Sequence, residues 1–201
     1  MSKSVFNTAI QNNLSYKIAV GLERITEAYK ALLWQHAKVV GLSPIQIQII
    51  IFVAYHDHEL CNVSYLAKEF NITKPTISDA VKALFNKGLI LKNTSLQDHR
   101  RYTIVLTDKG QKLLHSIDQY ANPLVNEINK LEDNQQQTFY SVLQQMISGL
   151  HKKGILEVQR NCLSCRFYNS MDNDNHYCNL LEEKLTAKTL RLDCPEFQVR
   201  S

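Results

Sequence analysis

Cys162, Cys165, Cys178 and Cys194 are the residues of this chain whose type and spacing could most directly do chemistry. The first two form a C-x2-C pair, and 12 and then 15 residues separate the next two. A C-x2-C pair lets two thiolates reach one ion from a single tight turn, and two further cysteines complete a tetrahedral site. Three chemistries fit the set. Structural zinc comes first, because four thiolates close the site and would fold a tail too short to build its own core. An iron–sulfur cluster is the alternative, since four cysteines serve it as well, and labile disulfides acting as a redox switch are the third. His176, two residues before Cys178, could replace a thiol or simply neighbour the site. Cys61 stands far from the others and reads as a small buried apolar residue. His56-Asp57-His58 lacks a third ligand nearby and reads as a solvated turn.

A second constellation is electrostatic. Between Val63 and Leu106 lie seven Lys and Arg (Lys68, Lys74, Lys82, Lys87, Lys92, Arg100, Arg101) against three acids (Glu69, Asp79, Asp98), whereas the remaining basic and acidic residues cancel. The whole net charge of +4 therefore sits in one segment, the footprint of a polyanion binder. Enzyme chemistry finds no comparable footing: the chain holds six glycines, no glycine-rich phosphate cradle and no nucleophile-and-base set.

The elements that must position these residues are mostly helical. From Tyr16 to Trp34, apolar residues recur at steps of three and four, which predicts a long amphipathic helix. Ser43, Pro44 and Gln46 form a capping-box start for a helix Ile45 to Tyr55 that is apolar on nearly every side and belongs in the middle of the domain. Cys61 to Val63 reads as a short edge strand, Ser64 as the cap of a helix Tyr65 to Phe70, and Thr73 as the cap of a helix Lys74 to Lys87. In that last helix Ile77, Val81 and Leu84 share the inward face, leaving Lys74, Thr76, Asp79, Lys82 and Ala83 opposite. Gly88 ends it, a strand Leu89 to Leu91 follows, and a second strand, Tyr102 to Leu106, precedes the cap Thr107. The loop KNTSLQDHRR between the strands is polar and ends in two arginines, the residues that the minor groove accepts. Beyond Thr107 the apolar stripe continues past Pro123, predicting a kinked rather than ended helix, and a last helix spans Asn134 to Lys152.

The stretches LAKEFNITKPTISDAVKALFNKGLI (Leu66 to Ile90) and DHRRYTIVLTDKG (Asp98 to Gly110), with the flanking helices, resemble the MarR family of bacterial transcription regulators over roughly residues 10 to 152. The resemblance implies a mainly α fold with a small β wing, a winged helix-turn-helix with long N- and C-terminal dimerisation helices. It implies a homodimer that sets Lys74 to Lys87 in the major groove and the wing in the minor groove of a near-palindromic double-stranded DNA operator, usually as a repressor, and that answers to a small-molecule effector or to oxidation. The DNA-facing residues are then Thr73, Lys74, Thr76, Ser78, Asp79 and Lys82 with Arg100 and Arg101. Two features depart from the family. Ser95-Leu96-Gln97 replaces the first of two Asp-x-Arg units in the wing, and Asp79 brings an acid to the recognition helix, either to accept from a cytosine amino group or to pair with Lys74 or Lys82.

The expected organisation is a winged-helix domain over residues 1–153, with its reading unit at 63–106, and a cysteine-rich metal-binding tail over 154–201. The polar start lacks the apolar core of a secretory signal, and no apolar run approaches membrane length, so a cytoplasmic protein without a membrane segment is expected. The competing readings are an iron–sulfur redox protein built on a helical scaffold, and an interaction protein that keeps the winged fold without binding DNA.

Overall fold

The computed structural model describes residues 4, 6, 13–94, 102–172, 175–186 and 188–200. Helix α1 (Leu14–Val40) starts at Asn13, whose side chain accepts from the Ser15 amide, and stops at Gly41, held at φ 66°, where a side chain would be strained. Helix α2 (Pro44–Tyr55) begins with the expected reciprocal box between Ser43 and Gln46 and buries Ile47, Ile49, Ile50 and Phe52. A helix apolar all round cannot face water, and α2 accordingly lies at the centre, in contact with α1, α4, α5 and β2.

The reading unit differs from expectation at its entrance. A 3-10 turn (His58–Leu60) stands before the proposed edge strand, and only the Cys61 carbonyl joins the sheet, accepting from the Ile104 amide at 2.7 Å. Helix α3 (Val63–Glu69) is capped by Asn62, not Ser64: the Asn62 carboxamide oxygen accepts from Tyr65 at 2.9 Å. Asparagine at this position satisfies an orphan amide two residues earlier than the serine could. Helix α4 (Lys74–Asn86) starts at Thr73 as expected and buries Ile77, Ala80, Val81 and Leu84. Strands β1 (Ile90–Thr94) and β2 (Tyr102–Leu106) pair antiparallel from Ile90 opposite Leu106 to Thr94 opposite Tyr102.

Helix α5 (Asp108–Ile117) begins at the cap Thr107, and here the single kinked helix is corrected to two. The chain turns through 118–121 before α6 (Asn122–Ile128). Pro123 lacks the amide that would close onto Gln119, and the turn instead uses short bonds, Asn122 to the Gln119 carbonyl and Leu124 to that of Ala121. The break is anchored from both sides. Tyr55 of α2 donates to the Asp118 carboxylate at 2.8 Å, and the hydroxyls of Tyr29 in α1 and buried Tyr120 meet each other.

Helix α7 (Asp133–Lys152) ends near Gly154, at φ 70°. The tail then folds into a 3-10 turn (Cys162–Ser164) and an antiparallel sheet of β3 (Tyr168–Asp172), β4 (Asn175–Cys178) and β5 (Glu183–Leu185). Its core is as small as its length dictates: Cys162, Leu185 and Leu190 pack with Tyr168 and Cys178 and borrow Tyr140 from α7. Tyr140 also donates to the Leu190 carbonyl at 2.8 Å, so the last long helix is the floor on which the tail rests.

Candidate nucleic-acid interface and cysteine centre

On α4 the inward stripe is buried, and the opposite face presents Lys74, Thr76, Ser78, Asp79 and Lys82 to solvent, with Thr73 exposed at the start of the helix. The Thr73 and Thr76 hydroxyls lie 2.9 Å apart and fix the first turn. Among the described residues no ion pair joins Asp79 to Lys74 or Lys82, so the pairing considered for that acid is absent and all three charges stand open on one face. Two other lysines of the unit are occupied. Lys87 donates to the Gly41 carbonyl at 3.2 Å, and Lys92 sits over the Tyr102 ring at 4.6 Å, a cation–π contact at the base of the wing. Asp98, Arg100 and Arg101 lie outside the described residues.

The four tail cysteines line one cavity. Cys162, Cys165, Cys178 and Cys194 surround a space of about 20 Å³ walled by Phe167, Leu180, Leu181 and Leu185. That is room for one ion or one water molecule. All four are free thiols, and none forms a disulfide. Among the described residues no three ligating side chains stand closely enough to hold an ion together, so the thiols share the cavity without being closed round its centre. Burial pushes the Cys162 thiol up, the Arg191 amide donating to its sulfur at 3.2 Å opposes this, and nearby Cys178 and Cys165 push it up again. Neighbouring thiolates repel one another, and a divalent cation placed between them removes that cost. His176 is not turned to this work: its Nδ1 meets the Tyr168 hydroxyl at 2.6 Å.

The largest departure from sequence reasoning is Arg160, a residue nothing in the local sequence distinguished. Its side chain is 8% exposed. Nε and Nη2 bind both carboxylate oxygens of Asp193 at 2.7 and 2.8 Å, Nη1 and Nη2 bind Glu69 of α3 at 2.6 and 3.2 Å, and Nη1 also reaches the Tyr65 hydroxyl at 2.8 Å. The guanidinium thus finds an acceptor for each of its N–H groups. Burial alone would disfavour its charge, but the bonds to Asp193 and Glu69 outweigh it; burial likewise opposes the Asp193 carboxylate, which Arg160 and His56 hold well below the usual range. His56, expected to be solvated, belongs to this cluster. Its ring stacks on Phe52 at 3.9 Å, and its Nε2 lies 2.8 Å from Asp193.

Cys61 is fully buried, as expected for a lone cysteine. Burial and the Asp57 carboxylate push its thiol up to about 11. Because the thiolate is the nucleophile, at pH 8 its reactive fraction is about a hundredfold below that of a free cysteine. Iodoacetamide followed by peptide mass mapping is expected to leave Cys61 unmodified in the native protein and to modify it once urea unfolds the chain. Labelling of native Cys61 at the unfolded rate would contradict this placement.

Comparison with known proteins places the reading unit. The model of the MarR family matches residues 40–101. The HTH-type transcriptional regulator SarZ of Staphylococcus epidermidis is 24% identical over 132 residues, covering 66% of this chain and 85% of the relative. Among solved structures, Staphylococcus aureus MarR in complex with salicylate and kanamycin superposes with a TM-score of 0.60 at 24% identity, over 69% of this chain and 93% of that one. The S. aureus MepR–DNA complex gives 0.58 at 22% identity, over 66% and 97%. These likenesses show the fold. The cysteine tail lies outside the residues that the family model matches.

Proposed function

We propose, from the match of residues 40–101 to the model of the MarR family, a DNA-binding transcription regulator that acts as a homodimeric repressor in the cytoplasm. The observation that carries this reading is the open face of α4, where Lys74, Lys82 and Asp79 are exposed and, among the described residues, free of ion pairs, beside Thr76 and Ser78. A buried inner face and a charged outer one is what a recognition helix requires in the major groove. The relative solved as MepR–DNA and the transcriptional regulator SarZ support it.

The dimer is supported by apolar surface. Leu14, Ile18, Ile25 and Trp34 on α1, and Phe139, Val142, Met146 and Leu150 on α7, are exposed in the single chain. Stripes of this size on two helices call for a covering partner, and a second copy offers the same stripes by symmetry. Two-fold symmetry sets the operator half-sites roughly 34 Å apart. For an effector, the cavity of about 460 Å³ lined by Val40, Leu42, Leu89 and Leu113 with Lys87, Lys109 and Lys112 suits a small apolar anion. Among the described residues no single helix is long and apolar enough to cross a membrane.

The four-cysteine cavity takes zinc in this reading. Four thiols about one ion-sized space offer the complete ligand set of a closed structural site. A single preparation of the full chain tests all of it. Sedimentation is expected to give twice 23.1 kDa, elemental analysis one zinc per chain, and a gel shift a salt-sensitive complex with duplex DNA. A monomer, a metal-free protein, or binding indifferent to salt would each overturn the corresponding part, and a brown protein would replace zinc by an iron–sulfur cluster.

A further inference from the structure

We propose that Arg160 couples the cysteine centre to the DNA reader, so that metal held by the tail strengthens DNA binding. The inference rests on the zinc and DNA readings above and adds the path between them. Cys162 lies two residues after Arg160, and Cys194 directly follows Asp193. The two segments are tied by backbone as well as by side chain: Cys194 donates to the Arg160 carbonyl at 2.9 Å and Cys162 to that of Arg191 at 3.0 Å. A metal that gathers the four thiols, their protons passing to solvent, therefore holds Arg160 and Asp193 side by side. On its other edge the same guanidinium grips Glu69 and Tyr65, both on α3, the helix that packs directly against α4.

The physical reason for coupling is that one planar cation cannot serve two carboxylates in two places unless both are fixed. With the 191–194 segment held, the fork points at Glu69 and Tyr65, and α3 is restrained before it meets DNA. Released, the segment carries Asp193 away, the buried guanidinium loses its bidentate partner, and the reader must be ordered at the expense of binding. Few other groups could carry the signal. Among the described residues, Glu69 and Asp193 are the carboxylates paired with Arg160, and Tyr65 and His56 are the other polar side chains that meet it.

The test uses the full chain and a duplex that the wild type selects from a random 20-base-pair pool. DNA affinity is read by fluorescence anisotropy for zinc-loaded protein and for protein stripped with a chelator under reductant. Wild type is expected to lose about tenfold in affinity on stripping, and by linkage the DNA-bound protein to hold zinc about tenfold more tightly. Glu69→Gln, and independently Arg160→Lys, which keeps the charge but not the fork, are expected to retain zinc and the circular dichroism of the wild type while their DNA affinity responds less than twofold to stripping. Variants that respond like the wild type overturn the coupling while leaving both parent readings intact. Wild-type binding that ignores stripping, in protein shown to contain zinc, overturns it too. Protein that takes up no zinc, or selects no duplex, overturns the parent reading and the coupling with it.

Discussion

Replacing Lys74 and Lys82 together with alanine is expected to lower DNA affinity roughly tenfold per lost phosphate contact at ordinary salt and to reduce the slope of log affinity against log salt by about 1.8. Both ammonium groups are exposed and, among the described residues, make no ion pair, so their removal leaves no buried charge. Stability should therefore stay within about 0.5 kcal/mol of the wild type, which separates a binding effect from an unfolding one. A gel-shift titration at several salt concentrations measures both quantities. Unchanged affinity and slope would mean that α4 presents another face to DNA. Asp79→Asn makes a companion with a different signature: it removes a charge that repels phosphate and an acceptor for a cytosine amino group, so overall binding should tighten while discrimination at one base pair relaxes.

Gly110→Ala is expected to destabilise the protein by about 3 kcal/mol, near the top of the range for overpacking, and to lower the melting temperature by roughly 10 °C. A Cβ on this residue would be driven into the backbone carbonyl oxygen of Leu89, with the Leu106 side chain close behind. That carbonyl cannot step aside. It accepts from the Thr107 amide at 3.1 Å, while the Thr107 hydroxyl donates to Gly88 at 2.8 Å and accepts from Gly110 at 3.0 Å. The wing strand, its cap and the first turn of α5 meet at a single crowded point, and calorimetry of the variant reads the effect. A melting temperature unchanged from the wild type would contradict the close approach. Gly41, Gly88 and Gly154 behave differently, since their positive φ and not a neighbour requires glycine.

Much of the fold was legible because its signals are local. The capping box at Ser43, the cap at Thr73, the strand Tyr102 to Leu106 and the cap at Thr107 all stand where the residues placed them. The caps depend on bonds within three residues and the strand on the alternation of its own side chains, and short-range geometry is what spacing encodes. The failures share a cause as well. Asn62 displaced Ser64 as cap because two good capping residues compete two positions apart, and packing of α3 on its neighbours picks the register. The apolar stripe ran past Pro123 on both sides, yet Asp118 and Tyr120 are claimed by Tyr55 and Tyr29 from two other helices, and the chain turns to meet them.

The sequence by itself determined that the chain is mostly helical, where α2, α4 and α5 begin, where the net positive charge lies, and that four thiols close in the chain share a tail. Those properties follow from residue type and near-neighbour spacing. Tertiary structure decided that the thiols line a single cavity, that Gly110 lies against Leu89, and that Arg160 links Asp193 of the tail to Glu69 of the reader, 91 residues away along the chain. A buried cation is stable only where carboxylates converge on it, and no periodicity records which carboxylates those will be. The bonds that join the cysteine tail to the winged-helix unit exist only once both have folded.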